Sequence, residues 1–105
     1  MNDSGLWLKD ESENSILITK SKNISNNFLT DVIINEFSFD FELKQTIQAD
    51  KVNIEKKTWI LYEPTVTIGN ISSNKYDILE LKTNFDNNKI RNLFSNFRTM
   101  DLIEL

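Results

Sequence analysis

Residues Ile47 to Val66, IQADKVNIEKKTWILYEPTV, alternate apolar and polar side chains with a period of two. That period belongs to a half-buried β-strand and not to a helix. Ile47 and Ala49 define one face, and Lys44, Thr46 and Gln48 the other. At Asp50-Lys51 the phase slips, and Val52 and Ile54 take over the apolar role. A slip of one residue flips every later side chain, so an inserted residue, a β-bulge or a bend is expected there. The segment EKKT supplies a turn, and Trp59 to Ile68 runs back. Pro64 has no N–H for a ladder, which marks an edge or a second irregularity.

A chain whose most regular stretch is a strand pair must supply further strands to cover it, and it does. Gly5 to Asp10 and Ser15 to Ser21 are strand candidates separated by the polar turn ESEN. After a polar break, KNISNN, the β-branched and aromatic run Phe28 to Phe41 places Val32 and Ile34 on one face and Ile33, Phe37 and Phe39 on the other. Leu43 is expected on the face of Ile47 and Ala49. Gly69-Asn70 and SSN read as a loop, and Lys75 to Thr83 as the last strand. The period then changes: Ile90, Leu93, Phe94 and Phe97 form one stripe of a short helix, capped by Asp86 or Asn87 and packing on the sheet. A second reading docks this stripe against a membrane-embedded neighbour. Six or more strands and a terminal helix predict an all-β sandwich, barrel or jelly roll in a single domain.

Composition removes most chemistry. The 105 residues include no Cys and no His, which excludes disulfides, thiol nucleophiles and the usual general base and metal ligand. With a net charge of −4 and scattered Lys and Arg, the chain has no nucleic-acid footprint. Asp10, Glu11 and Glu13 lack the glycine and distal glutamate of a calcium loop and read as a solvated turn. Asp40, Glu42, Glu55 and Glu63 are the carboxylates available for glycoside chemistry, and turn or solvent-face positions explain them better. There is no glycine-rich phosphate loop and no base for a serine nucleophile. No catalytic residue, metal ligand or cofactor is assigned. Trp7, Trp59, Tyr62 and Tyr76 are either a carbohydrate platform or core, and core is favoured. The Asn-x-Ser sequons at Asn2, Asn23 and Asn70 are attributed to the abundance of Asn.

The spacing Leu29-x-x-Val32-x-Ile34-x-x-Phe37, Leu43-x-x-x-Ile47-x-Ala49, Val52-x-Ile54 and Trp59-x-Leu61 resembles the periplasmic domain of the lipopolysaccharide export permeases, the LptF/LptG (YjgP/YjgQ) family. SGLWLKD, Ser4 to Asp10, looks like that family's entry into the domain, in the LptG version more than the LptF version. RTMDLIEL, Arg98 to Leu105, is similar to the segment returning to the membrane. The chain departs from the pattern at FDFE, where an Asp-Gly type turn is common, and at Pro64.

The resemblance implies an open, two-sheet β-jelly roll with a short C-terminal helix. It would be one domain over residues 1–105, with 1–4 and 98–105 leading toward transmembrane helices of a longer permease. The expected place is the periplasm, as part of an inner-membrane protein of a Gram-negative bacterium. The implied function is non-enzymatic, with a cytoplasmic ATPase acting through the membrane part. The domain would pass lipopolysaccharide, by its lipid A acyl chains, along an apolar groove. A paired permease subunit and an LptC-like bridge of jelly rolls would join by strand addition. The candidate groove lining is Ile16, Ile18, Val32, Ile34, Phe37, Ile47, Ala49, Ile54, Trp59 and Leu61. The alternatives are a carbohydrate-binding β-sandwich and an all-β assembly or adhesion domain.

Overall fold

The computed structural model describes residues 5–69 and 72–93, and within them the fold is all-β. Eight antiparallel strands run as β1 (Leu6–Glu11), β2 (Ile16–Ser25), β3 (Phe28–Phe37), β4 (Leu43–Asn53), β5 (Thr58–Tyr62), β6 (Thr65–Ile68), β7 (Ser72–Lys75) and β8 (Ile78–Lys82). A helix, α1, begins at residue 87 and is described to residue 93. Asp86 caps it, its Oδ1 accepting from Lys89 N at 2.9 Å. Phe94, Phe97 and the segments 1–4 and 98–105 lie outside the described residues.

The sheet order is β1-β2-β3-β4-β5-β8, with β6 paired to β4 and to β7. The registers reduce this to a simple meander. Between Lys51 opposite Tyr62 and Gln48 opposite Thr65, the two chains span equal numbers of residues, so β5 and β6 are one return strand interrupted at Glu63-Pro64. In the same way β7 and β8 are one strand interrupted at Tyr76-Asp77. Pro64 cannot donate, but the ladder continues around it through Glu63 N to Asp77 O (2.8 Å) and Tyr76 N to Pro64 O (3.0 Å).

The phase slip at Asp50-Lys51 is a bend and not an insertion. Pairing between β3 and β4 passes from Val32–Ala49 to Thr30–Lys51 with no shift. This is possible because the neighbouring strands slip at the same level. Lys22-Asn23 separates buried Ser21 from half-buried Ile24, Thr30-Asp31 separates buried Leu29 and Val32, and Tyr62-Glu63 separates buried Leu61 and Pro64. Each strand therefore places two successive residues outside the core along one transverse line. Asp31 (φ 52) and Glu63 (φ 49) adopt the left-handed region on that line, where a single residue turns the chain without lengthening it. The hydroxyl of buried Ser21 lies 2.7 Å from Thr30 O and 3.0 Å from Asn23 O, supplying a donor beside the bend.

The crease divides the sheet into a β1 leaf, which includes β6 and β7, and a β8 leaf, which includes β5. The inner faces of both leaves belong to one apolar cluster, with Val32, Ile34, Ile47 and Val66 from the first and Leu29, Val52, Ile54, Trp59 and Leu61 from the second. Ile90 of α1 joins the same cluster.

Three sequence expectations are corrected. The true bulge lies between Glu36 and Phe37, where Phe37 pairs with Leu43 and Lys44 is the extra residue. That turns Leu43 to the outside, 51% exposed, instead of beside Ile47. KNISNN is not a loop, because β2 continues to Ser25 and the turn shrinks to Asn26-Asn27, with Asn26 at φ 54. The residues of SSN lie in β7, which pairs with β6.

The crease makes a direct prediction. Asp31→Val, which puts a β-branched side chain at positive φ, should lower stability by about 2 kcal/mol in urea titration, whereas Asp31→Asn should leave it within about 0.5 kcal/mol.

Candidate functional site

The apolar interior between the leaves is the candidate site. Seven of the ten groove candidates point into it: Val32, Ile34, Ile47, Ala49, Ile54, Trp59 and Leu61 are all buried. The other three lie on the opposite face. Ile18 faces Asn35 and Ile16 faces Phe37 across β2 and β3, while the inward positions there are Leu17, Thr19 and Ser21. Ile16 is nonetheless buried, and Ile18 and Phe37 are half-buried, so the outer surface of the β1 leaf carries an apolar layer of its own.

What closes the interior is a polar clasp. In a flat sheet with this register, Asp10 of β1 and Lys82 of β8 would stand about 30 Å apart along the strands and about 24 Å apart across them. Here Asn84, two residues beyond β8, donates from its backbone N to Asp10 Oδ2 at 2.9 Å and from Nδ2 to Asp10 Oδ1 at 2.8 Å. Its Nδ2 also lies 3.1 Å from Glu11 O. The sheet has coiled and folded until its first and last strands meet. Asp10 is buried, with both carboxylate oxygens engaged by one asparagine.

The segment after β8 is held along its length by similar bonds. Trp59 Nε1 donates to Phe85 O at 2.7 Å, which satisfies the one polar atom of the largest buried side chain. Thr83 donates from both N and Oγ1 to Lys57 O. On α1, Asn87 Nδ2 donates to Asn27 Oδ1 at 2.7 Å, and Arg91 reaches Asn87 Oδ1 and Asn26 O. Buried Ile90 sits beneath these contacts. The strap from Thr83 to Arg91 therefore bonds to the end of β1, the β2–β3 turn and the β4–β5 turn.

Sequence reasoning missed this clasp. Asp10 shares the parity of Leu6 and Leu8 in LWLKDE, which marks it as inward and not as part of a solvated turn. Nothing local marks Asn84 as its partner. Among the four large aromatics only Trp59 is core; Tyr62 is half-buried, and Trp7 and Tyr76 are exposed. The four carboxylates considered for glycoside chemistry are all exposed, and among the described residues no group of three acidic side chains is placed to hold a metal.

A coiled antiparallel sheet enclosing an apolar interior, fastened by a few polar contacts, defines the class: an all-β domain with one continuous core. The chain matches the family model for the lipopolysaccharide export system permease LptF/LptG over residues 1–105, and it belongs to that family. A search among curated proteins returns no match. Among the described residues no helix is long and apolar enough to cross a membrane.

Removing the clasp should be costly, because it strands a buried carboxylate. Asn84→Ala removes the two side-chain bonds and keeps the backbone N–H to Asp10 Oδ2, so it leaves one buried carboxylate oxygen without its donor and should lower stability by about 1 kcal/mol. The double variant Asp10→Leu/Asn84→Leu removes the buried carboxylate but leaves the backbone N of residue 84 without its acceptor, so it should recover part of the loss in the same thermal or urea measurement.

Proposed function

We propose that this chain is the periplasmic domain of a lipopolysaccharide export permease, LptG-like in type, and that the space between its leaves conducts the acyl chains of lipopolysaccharide. The observation that supports this most is the apolar cluster running unbroken from one leaf to the other across the crease. Family membership supplies the cargo class. Acyl chains shielded there would gain about 0.8 kcal/mol per buried CH₂. The interior is closed, so lipid entry requires the leaves to part. The clasp is the natural place, since three hydrogen bonds worth about 1 kcal/mol each are a smaller barrier than a dry apolar seam.

The two edges are suited to different roles. The β1 edge is engaged at its end by Asn84, whereas β7 and β8 have no strand beyond them among the described residues. Strand addition by the paired subunit or an LptC-like bridge protein is therefore assigned to the β8 side, next to exposed Ile78. The carbohydrate-platform reading loses Trp59, which is locked in the core by its bond to Phe85, and keeps exposed Trp7 and Tyr76.

A photo-crosslinker at Ile34 or Ile54 of the intact permease should capture lipopolysaccharide only when ATP is hydrolysed. Adducts confined to outward positions such as Lys44 and Gln48 would show that the interior is not the path.

A further inference from the structure

The turn joining β3 to β4 has a backbone that asks for a residue the chain does not supply. Ser38 N donates to Glu42 O and Phe41 N to Ser38 O, both at 2.9 Å, which closes a three-residue loop over Phe39, Asp40 and Phe41. Glu42 N also donates to the Ser38 hydroxyl at 3.2 Å. Loops of this length place their third residue in the left-handed region, where glycine is the usual occupant. Here that residue is Phe41, at φ 66. A bulky side chain is disfavoured in that region, and Phe41 recovers nothing by packing, since it is 74% exposed. Phe39 and Leu43 are exposed as well, and half-buried Phe37 stands opposite Leu43 at the base of the loop. A single exposed apolar side chain is ordinary; three within five residues, one of them strained, form an apolar knob.

The charges around the knob choose what it can enter. The last row of the ladder runs Glu11, Ile16, Phe37, Leu43, so the β1–β2 turn lies beside this loop. Of the lysines near it, Lys9 is paired to Glu11 at 3.4 Å and Lys44 to Glu36 at 3.9 Å, and Lys89 of the strap lies over the Phe85 ring. Exposed Glu13, Asp40 and Glu42 have no cation partner among the described residues. A knob entering a bilayer would carry Asp40, which stands between the two phenylalanines, in among lipid phosphates, with loss of hydration and like-charge repulsion. A protein socket can take the rings on an apolar floor and meet both carboxylates with lysine or arginine at its rim. Arginine can in addition stack on a ring face.

We propose that the β3–β4 tip docks into a protein partner through an apolar socket with a basic rim, Phe39 and Phe41 filling the floor and Asp40 and Glu42 pairing with the rim. The contact uses no residue of the interior, of the clasp or of the β8 edge, so it can be made while the leaves are open or closed.

Because Phe41 is strained in the free chain, fold and docking place opposite demands on it. Phe41→Gly should raise the thermal midpoint by a few degrees while weakening the contact. A benzophenone cross-linker at Phe39 of the intact permease, in its native membranes, should form adducts with another protein, at a peptide that combines apolar residues with Lys or Arg. Phe41→Gly should lower the yield about fivefold or more. Asp40→Lys/Glu42→Lys should lower it about tenfold, and raised salt should lower it too. Lys56→Glu, at the exposed β4–β5 turn, should leave it unchanged. Adducts only with lipid, only with a second copy or only within one chain would overturn the proposal, as would no adduct or a yield indifferent to the charge reversal. A lower midpoint in Phe41→Gly would overturn it as well, since Phe41 would then serve the fold.

Discussion

Everything in this fold depends on neighbouring strands shifting phase at the same level. A β-strand that changes which side chains face inward normally loses register with its partners, because the period is two and a single step reverses the faces. Here β2, β3, β4 and the β5–β6 return strand all take the step together, so no ladder is broken. The strands bend without being interrupted, and a sheet that would otherwise expose one apolar face folds that face onto itself. The continuous core, the meeting of β1 with the end of β8, and the contrast between inner and outer faces all follow from this shared step.

Two left-handed residues and one proline make the step possible. A non-glycine residue in the left-handed region costs of order 1–3 kcal/mol, which a two-residue penalty makes significant for a domain of this size. The structure offsets it with burial: Leu29, Val32, Leu61 and Pro64, which flank the outward pairs Thr30-Asp31 and Tyr62-Glu63, are among the most completely buried residues. The bend is thus held by the packing it creates, and Ser21 adds a donor beside the carbonyls it disturbs.

Much of this was legible in the sequence. The alternation located most of the strands, the slip at Asp50-Lys51 and Pro64 located the bend in two of them, and Asp86 was one of the two candidate helix caps, with Asn87. What could not be read was collective. One strand's slip looks like a defect, and only the registers reveal that its neighbours share it. Face assignment failed for Ile16, Ile18 and Phe37 because β2 and β3 are apolar on both sides, and alternation cannot choose between two apolar faces. Leu43 was misplaced by a bulge that leaves no residue signature. The Asp10–Asn84 clasp joins residues from opposite ends of the chain, and no local pattern encodes a contact set by how far a sheet coils.

The uninterrupted register also reaches beyond the molecule. Because β7 and β8 keep step across Tyr76-Asp77, the edge beyond which the described residues hold no further strand is not two short stubs but one long line with a fold crossing it. A strand laid along it can follow the whole length only if it too presents two successive outward residues at that line; a regularly alternating strand would fit one leaf and place its apolar groups on the wrong side of the other. In the proposed strand addition the crease would therefore act as a sorting rule written in geometry, separating sheets built on the same half-step from those that are not.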